Sequence, residues 1–176
     1  MIPRLASALA ALALAVCCAG CAAEPAPAPS ATGFASEEEA FAAAEETYRA
    51  YVDALNRVDL SDPKTFEGVY AWTTGDANAG SRKSFAEMHA NEWQVAGSTT
   101  ITLIAPVNSL GADIVTVAVC ADVSNVTLVD DSGASVVASD RRDIQSMEFD
   151  LQAAASSPTG LLIARISGRE GDPECD

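Results

Sequence analysis

Between Ser36 and Val58 apolar side chains recur every three or four residues: Phe41, Ala44, Tyr48, Tyr51, Val52, Leu55 and Val58. That period puts them on one face of an α-helix, with charged residues on the other. Ser36 and Glu39 have capping-box spacing, and Glu37 to Glu39 suit the positive end of the helix. In "SDPKTFEGVYAW", Asp62 can cap and Pro63 fits a first turn, which predicts a second, short helix. "TTGDANAG" reads as a break of small and turn-forming residues. A third helix is predicted in "SFAEMHANEWQVAG", capped by Ser84 with Glu87 and stopped by Gly97. Its buried side would be Phe85, Met88, Glu92 or Trp93, and Val95.

The period then shortens to two. "STTITLIAPV" alternates roughly, and "IQSMEFDLQA" cleanly, with Met147, Phe149 and Leu151 inward. "ADIVTVAVCADVS" is apolar at successive positions in its middle, as in a central strand covered on both faces. "NVTLV" and "SVVAS" flank "DDSGA", which reads as a hairpin, and "GLLIARISG" is the last strand. Helices followed by antiparallel strands, without βαβ alternation, predict an α+β fold. A long N-terminal helix and two shorter helices would pack on a curved antiparallel sheet.

The first 35 residues carry a different texture. Arg4 and the apolar run Leu5 to Val16 have the size of an export signal and are too short to span a membrane. "CAGC" at Cys18 to Cys21 resembles the lipobox of bacterial lipoproteins, with Cys18 standing where leucine is usual. The resemblance implies that Cys21 receives a diacylglyceryl group and anchors the protein on the outer face of the cell membrane. The other reading is plain secretion after an Ala-x-Ala-like site. "EPAPAP" favours extended polyproline II and serves as a spacer. The expected organisation is a signal peptide at 1–20, a Pro/Ala-rich tether at 21–35 and one α+β domain at 36–176.

Charge narrows the partners. Against 25 acidic residues there are 10 basic ones, a formal net charge of -15. Nucleic acid, whose phosphates need a basic surface, is not an expected partner. Cysteine count narrows the chemistry. With Cys17 and Cys18 removed and Cys21 acylated, Cys120 and Cys175 are left, and an even pair in an exported domain predicts a disulfide. The alternative is a buried free Cys120 and a loose Cys175. Two cysteines and one distant histidine show no zinc spacing, and no cofactor motif is present, neither a phosphate-binding loop nor G-x-G-x-x-G. Asp130, Asp131 and Asp140 lack the EF-hand pattern and read as turn chemistry.

The whole domain resembles the nuclear-transport-factor-2-like (NTF2-like) superfamily, the SnoaL-like or ketosteroid-isomerase-like cone. It also resembles a group of small actinobacterial lipoproteins. The stretches that carry the second likeness are the lipobox, "AFAAAEETYRAYVDALN", "NEWQVAGSTTI", "VAVCADVSNVTLVDDSGASV" and the C-terminal cysteine. The superfamily hosts enzymes as well as binding modules, so the fold does not choose between them. His89, the only histidine, could act as a base in a cone pocket, or be an ordinary helix-surface residue. Asp122 beside Tyr48 or Tyr51 would imitate the isomerase branch; the plainer reading is a solvated strand-end aspartate. The leading expectation is a non-catalytic, membrane-anchored module for a protein, peptide or small-molecule ligand. The alternative is a small-molecule lyase or isomerase. An interior plugged by Phe41, Met147, Phe149 and Trp93 would count against the enzyme. A pocket of several hundred Å³ opening onto His89 or Asp122 would count for it.

Overall fold

The computed structural model describes residues 33–109 and 114–175. The signal peptide, Cys21 and nearly all of the tether lie outside the described residues. Among the described residues no helix is long and apolar enough to cross a membrane.

Helix α1 spans Glu37–Leu55. Ser36 caps it: its hydroxyl accepts from the Glu39 amide at 3.2 Å, while the Glu39 carboxylate accepts from the Ala35 amide at 2.7 Å. A 3-10 turn, Pro63–Phe66, is capped by Asp62 and runs into the one-turn helix α2, Glu67–Tyr70. Helix α3 spans Gly75–Ala90, which corrects the break expected at "TTGDANAG" and the cap expected at Ser84. Tertiary contacts override the weak local propensity there. The Asn78 amide donates to Thr73 Oγ1 at 2.9 Å and to the Tyr70 carbonyl at 3.2 Å, tying the first turns of α3 to the end of α2. Gly75 opens the helix at φ +51°, a left-handed position that glycine adopts without strain.

The four-stranded sheet contains β2 (Thr100–Asn108), β3 (Ile114–Asp122), β5 (Ile144–Ala153) and β6 (Leu161–Gly168), all antiparallel in that order. Strand β3 is central and buried on both faces, as its apolar run predicts. A separate ribbon pairs β1 (Gln94–Ala96) with β4 (Thr127–Val129). Two sequence expectations fail here. "QVA" is a strand rather than a helix end, and "SVVAS" contributes only a bridge between Val129 and Ser135. The turn itself forms as expected, with Asp130 accepting from the Ser132 and Ala134 amides at 2.9 Å. Beyond it, Arg141 donates to the carbonyls of Val123 and Val126, which holds the following loop against the start of β4 instead of leaving it free to pair. Gly97 has φ +86°, and any Cβ there would meet the Asn125 carbonyl oxygen at 1.9 Å, so only glycine lets the ribbon close.

Helix α1 lies across the inner face of the sheet. Ala44, Tyr48 and Val52 pack there against Val115, Val117, Val119, Phe149, Leu151 and Ile163. Thr47 is also buried and shares a 2.6 Å hydrogen bond with Thr159, at the turn between β5 and β6. A second cluster, Leu60, Phe66, Val69, Tyr70 and Phe85, is built by the helices, with Leu128 of the ribbon packed beside it. Cys120 on β3 is joined to Cys175, which pins the C-terminal tail to the central strand across 55 residues of chain.

Candidate functional site

Tyr48, His89 and Asp122 fall in three separate places. Tyr48 is buried in the interior, with its ring edge-on to Phe149 at 4.6 Å between centroids. Burial pushes the Tyr48 phenol well up, with neighbouring Tyr51 adding to it, and burial raises Tyr51 to about 12. Both hydroxyls therefore stay protonated at neutral pH. Asp122 ends β3; hydrogen bonding from Ser124, side chain and then amide, holds its carboxyl below the usual range. Asp122 thus closes the turn that follows β3. His89 sits in the last turn of α3 with Nδ1 2.7 Å from the Leu60 carbonyl oxygen. A carbonyl only accepts, so the proton is on Nδ1 and any lone pair is on Nε2.

The centre of the cone is filled, and open clefts of about 500 and 360 Å³ flank α1, one beside Phe41 and Ile104 and the other beside Tyr51 and Ile166. Phe149 and Tyr48 occupy that centre, and Phe41, Met147 and Ile166 pack around them. Trp93, expected among the plugs, lies in the second cluster instead. A cleft does open onto His89, the observation that would count for an enzyme, but it lies outside the cone and neither Tyr48 nor Asp122 lines it.

It is a cleft of about 900 Å³. Its walls are the loop Val58 to Ser61, the C-terminal end of α3, strand β1, and Asp131 from the turn after β4. The end of α3 shapes it. The Trp93 amide donates to the Met88 carbonyl and the Glu92 amide to the His89 carbonyl, a Schellman closure. Its left-handed position, ordinarily glycine, is Glu92 at φ 57°. This reversal brings Glu92, Trp93, Gln94 and Val95 to the wall that His89 also lines. On the opposite wall, Asp59 accepts from the Ser61 amide at 2.8 Å and the Ser61 hydroxyl at 2.7 Å. Those bonds hold its carboxyl below the usual range and keep it ionised.

The lining holds three carboxylates, Asp59, Glu92 and Asp131, and no lysine or arginine. None of the three is in an ion pair among the described residues, and the carboxylates of Glu92 and Asp131 have no hydrogen bond. Sequence reasoning missed this grouping. Asp131 read as turn chemistry, and Glu92 competed with Trp93 for a buried helical position. The clue in the sequence was "ANEW", a helix end with asparagine and no glycine before the aromatic.

Neither a protein-family profile nor a curated protein sequence matches this chain. In fold it is similar to the intermembrane space region of the chloroplast protein ARC6, with a TM-score of 0.50 and 16% identity over 71% of this chain and 92% of that one. It is also similar to CagV, a VirB8 homologue of the T4SS from Helicobacter pylori strain 26695, with a TM-score of 0.46 and 10% identity over 73% and 99% of the two chains. At such identities the likeness to ARC6 concerns the fold alone: an α+β domain with its helices on one face of a bent antiparallel sheet.

Proposed function

We propose that the protein is an extracytoplasmic lipoprotein of NTF2-like type, anchored through Cys21, that binds a ligand or partner in the His89 cleft without catalysis. The position of the cleft carries the proposal. Helix α1 starts beside the far end of β2, where the Ser109 hydroxyl donates to the Glu37 carboxylate at 2.7 Å. It finishes beside the near end, where Asn56 and Thr99 exchange hydrogen bonds of 2.8 and 3.0 Å. The chain enters α1 at the first end through residues 33–35, and Val58 to Ser61 of the cleft wall follow on from the second. Nineteen helical residues separate the two ends by roughly 28 Å at about 1.5 Å per residue. The end of the domain that bears the cleft is thus opposite the end at which the segment carrying Cys21 joins it. The filled cone supports binding over lyase or isomerase chemistry, because Tyr48, His89 and Asp122 do not converge.

Two measurements test the proposal. Intact mass of the protein from native membranes should show a diacyl addition on Cys21; a chain starting elsewhere without lipid removes the anchor. A photo-reactive residue at Gln94, on the cleft wall, should capture a reproducible partner or ligand on intact cells. The same group at Gln152, on the far end of the sheet, should not. Equal capture from both positions, or none from either, would sink the cleft as the binding site.

A further inference from the structure

We propose that the Cys120–Cys175 bridge is a thiol-exchange site, opened at the Cys175 sulfur by a small external thiol, with Arg169 stabilising the thiolates that form there. The two sulfurs are unequal. Cys120 is 2% exposed on the central strand, whereas Cys175 is half-buried and lines a cleft of about 630 Å³ beside the start of β5. A thiolate can therefore reach one sulfur and not the other, and exchange needs access only to the sulfur attacked. Beside that sulfur lies a cation. Arg169 Nη2 is 3.6 Å from Cys175 Sγ, and no carboxylate pairs with this guanidinium among the described residues. The guanidinium also donates to the carbonyls of Gly171 and Pro173, and the Arg169 amide donates to the Ser146 carbonyl at 3.0 Å, so the tail itself holds the charge in place. Its Nε is buried without a hydrogen-bond partner, a cost that folding the tail back does not explain. Positive charge at a sulfur favours the approach of a thiolate and stabilises the thiolate released there. Arg142, Asp143, Glu170 and Glu174 are the other charged side chains on the cleft.

The exchange moves two electrons. The external thiol gives its proton to water, and its thiolate forms a bond to Cys175 Sγ. The Cys120–Cys175 bond breaks, and its electron pair leaves on Cys120 Sγ, which takes a proton from water. A second external thiolate attacks the outer sulfur of the mixed disulfide, and the Cys175 thiolate leaves beside Arg169. One bridge is reduced to two thiols, and two external thiols are oxidised to one disulfide. Opening the bridge uncouples the tail after Gly168 from β3, to which it is otherwise joined across 55 residues of chain.

The test is a timed exposure of the intact protein, in detergent, to 2-mercaptoethanol, stopped with acid and read by peptide mass. The mixed disulfide should appear on the Cys175 peptide about tenfold or more over the Cys120 peptide, while the sheet amides of Val117 and Leu151 keep their protection from hydrogen exchange. Arg169→Gln should slow the opening about three- to tenfold at fixed pH, Arg169→Lys should restore most of the rate, and added salt should narrow the gap. In the reduced protein, the pH midpoint for alkylation of Cys175 by iodoacetamide should lie below that of Cys120, and Arg169→Gln should raise it. Adducts shared equally by the two cysteines, adducts that form only as the sheet amides lose protection, or no adduct at all overturn the proposal. So does a Cys175 midpoint at or above that of Cys120, or an Arg169→Gln variant with either its opening rate or its midpoint unchanged. The adduct position and the two midpoints are measured on the wild-type protein, so they decide the matter even where Arg169→Gln does not fold.

Discussion

The two ends of α1 are closed by different means. Toward its start the helix lies on a four-stranded sheet, where Phe149 against Tyr48 and the β-branched residues of β3 fill the centre and leave only an open cleft of about 500 Å³ between Phe41 and Ile104. Beyond its finish no long strand is available. Phe66 stacks on Phe85 at 5.0 Å, but Trp72, Met88, Trp93 and Leu128 around them are only partly buried. The wall there is a ribbon of three-residue strands and a reversed helix end. A bent sheet therefore does not guarantee a pocket in its bend. Here aromatics fill the bend, and the opening moves to the place where the covering elements are shortest.

The largest expected effect tests the sealed end. Phe149→Ala should cost about 3–5 kcal/mol of unfolding free energy, because it removes a buried ring and leaves a cavity against Tyr48. Denaturant unfolding measures it; a cost under about 1 kcal/mol would mean that the interior collapses easily and is not a rigid plug. The disulfide comes next. Replacing Cys120 and Cys175 together by alanine should cost about 2–4 kcal/mol, the usual range for a bridge closing a loop of some 55 residues. The wild-type protein under reducing conditions should move by a similar amount. No shift in either experiment would show that the tail contributes nothing to the central strand.

What was legible in the sequence follows this contrast. The sealed end was readable because each element carries its own period: α1 at three and four residues, β5 at two, and β3 as a continuous apolar run. The pairing of Cys120 with Cys175 came from counting what the export signal would leave behind. The cleft end was obscure because its elements are short and held by contacts distant in sequence. "TTGDANAG" is helical through what Asn78 bonds to, and "QVA" is a strand only because Thr127 to Val129 lies beside it. The cleft joins Asp59, Glu92 and Asp131 from three segments. No spacing rule connects them, so the site could be found only after folding.

Smaller effects separate the two ends further. Glu92→Gly should stabilise the protein by about 1 kcal/mol, because glycine adopts the left-handed position without steric cost. The same change should weaken any cleft ligand, and a stabilised variant with unaltered binding would detach Glu92 from the site. The smallest effect is one of pH. Hydrogen bonds from their following serines hold Asp59, Asp122 and Asp130 below the ordinary value of 3.8. Groups lowered in the folded state contribute stability above their unfolded value and lose it as pH falls through the folded one. Acid should therefore loosen these turns as pH drops below about 3.8. Hydrogen exchange at the Ser61, Ser124 and Ser132 amides should accelerate there, relative to the rate expected for a free amide at each pH. The amides of Val117 and Leu151 in the sheet should keep their protection. Simultaneous loss at both groups of amides would mean that the cleft end and the sealed core unfold as one unit, and that the difference between them is one of shape rather than of stability.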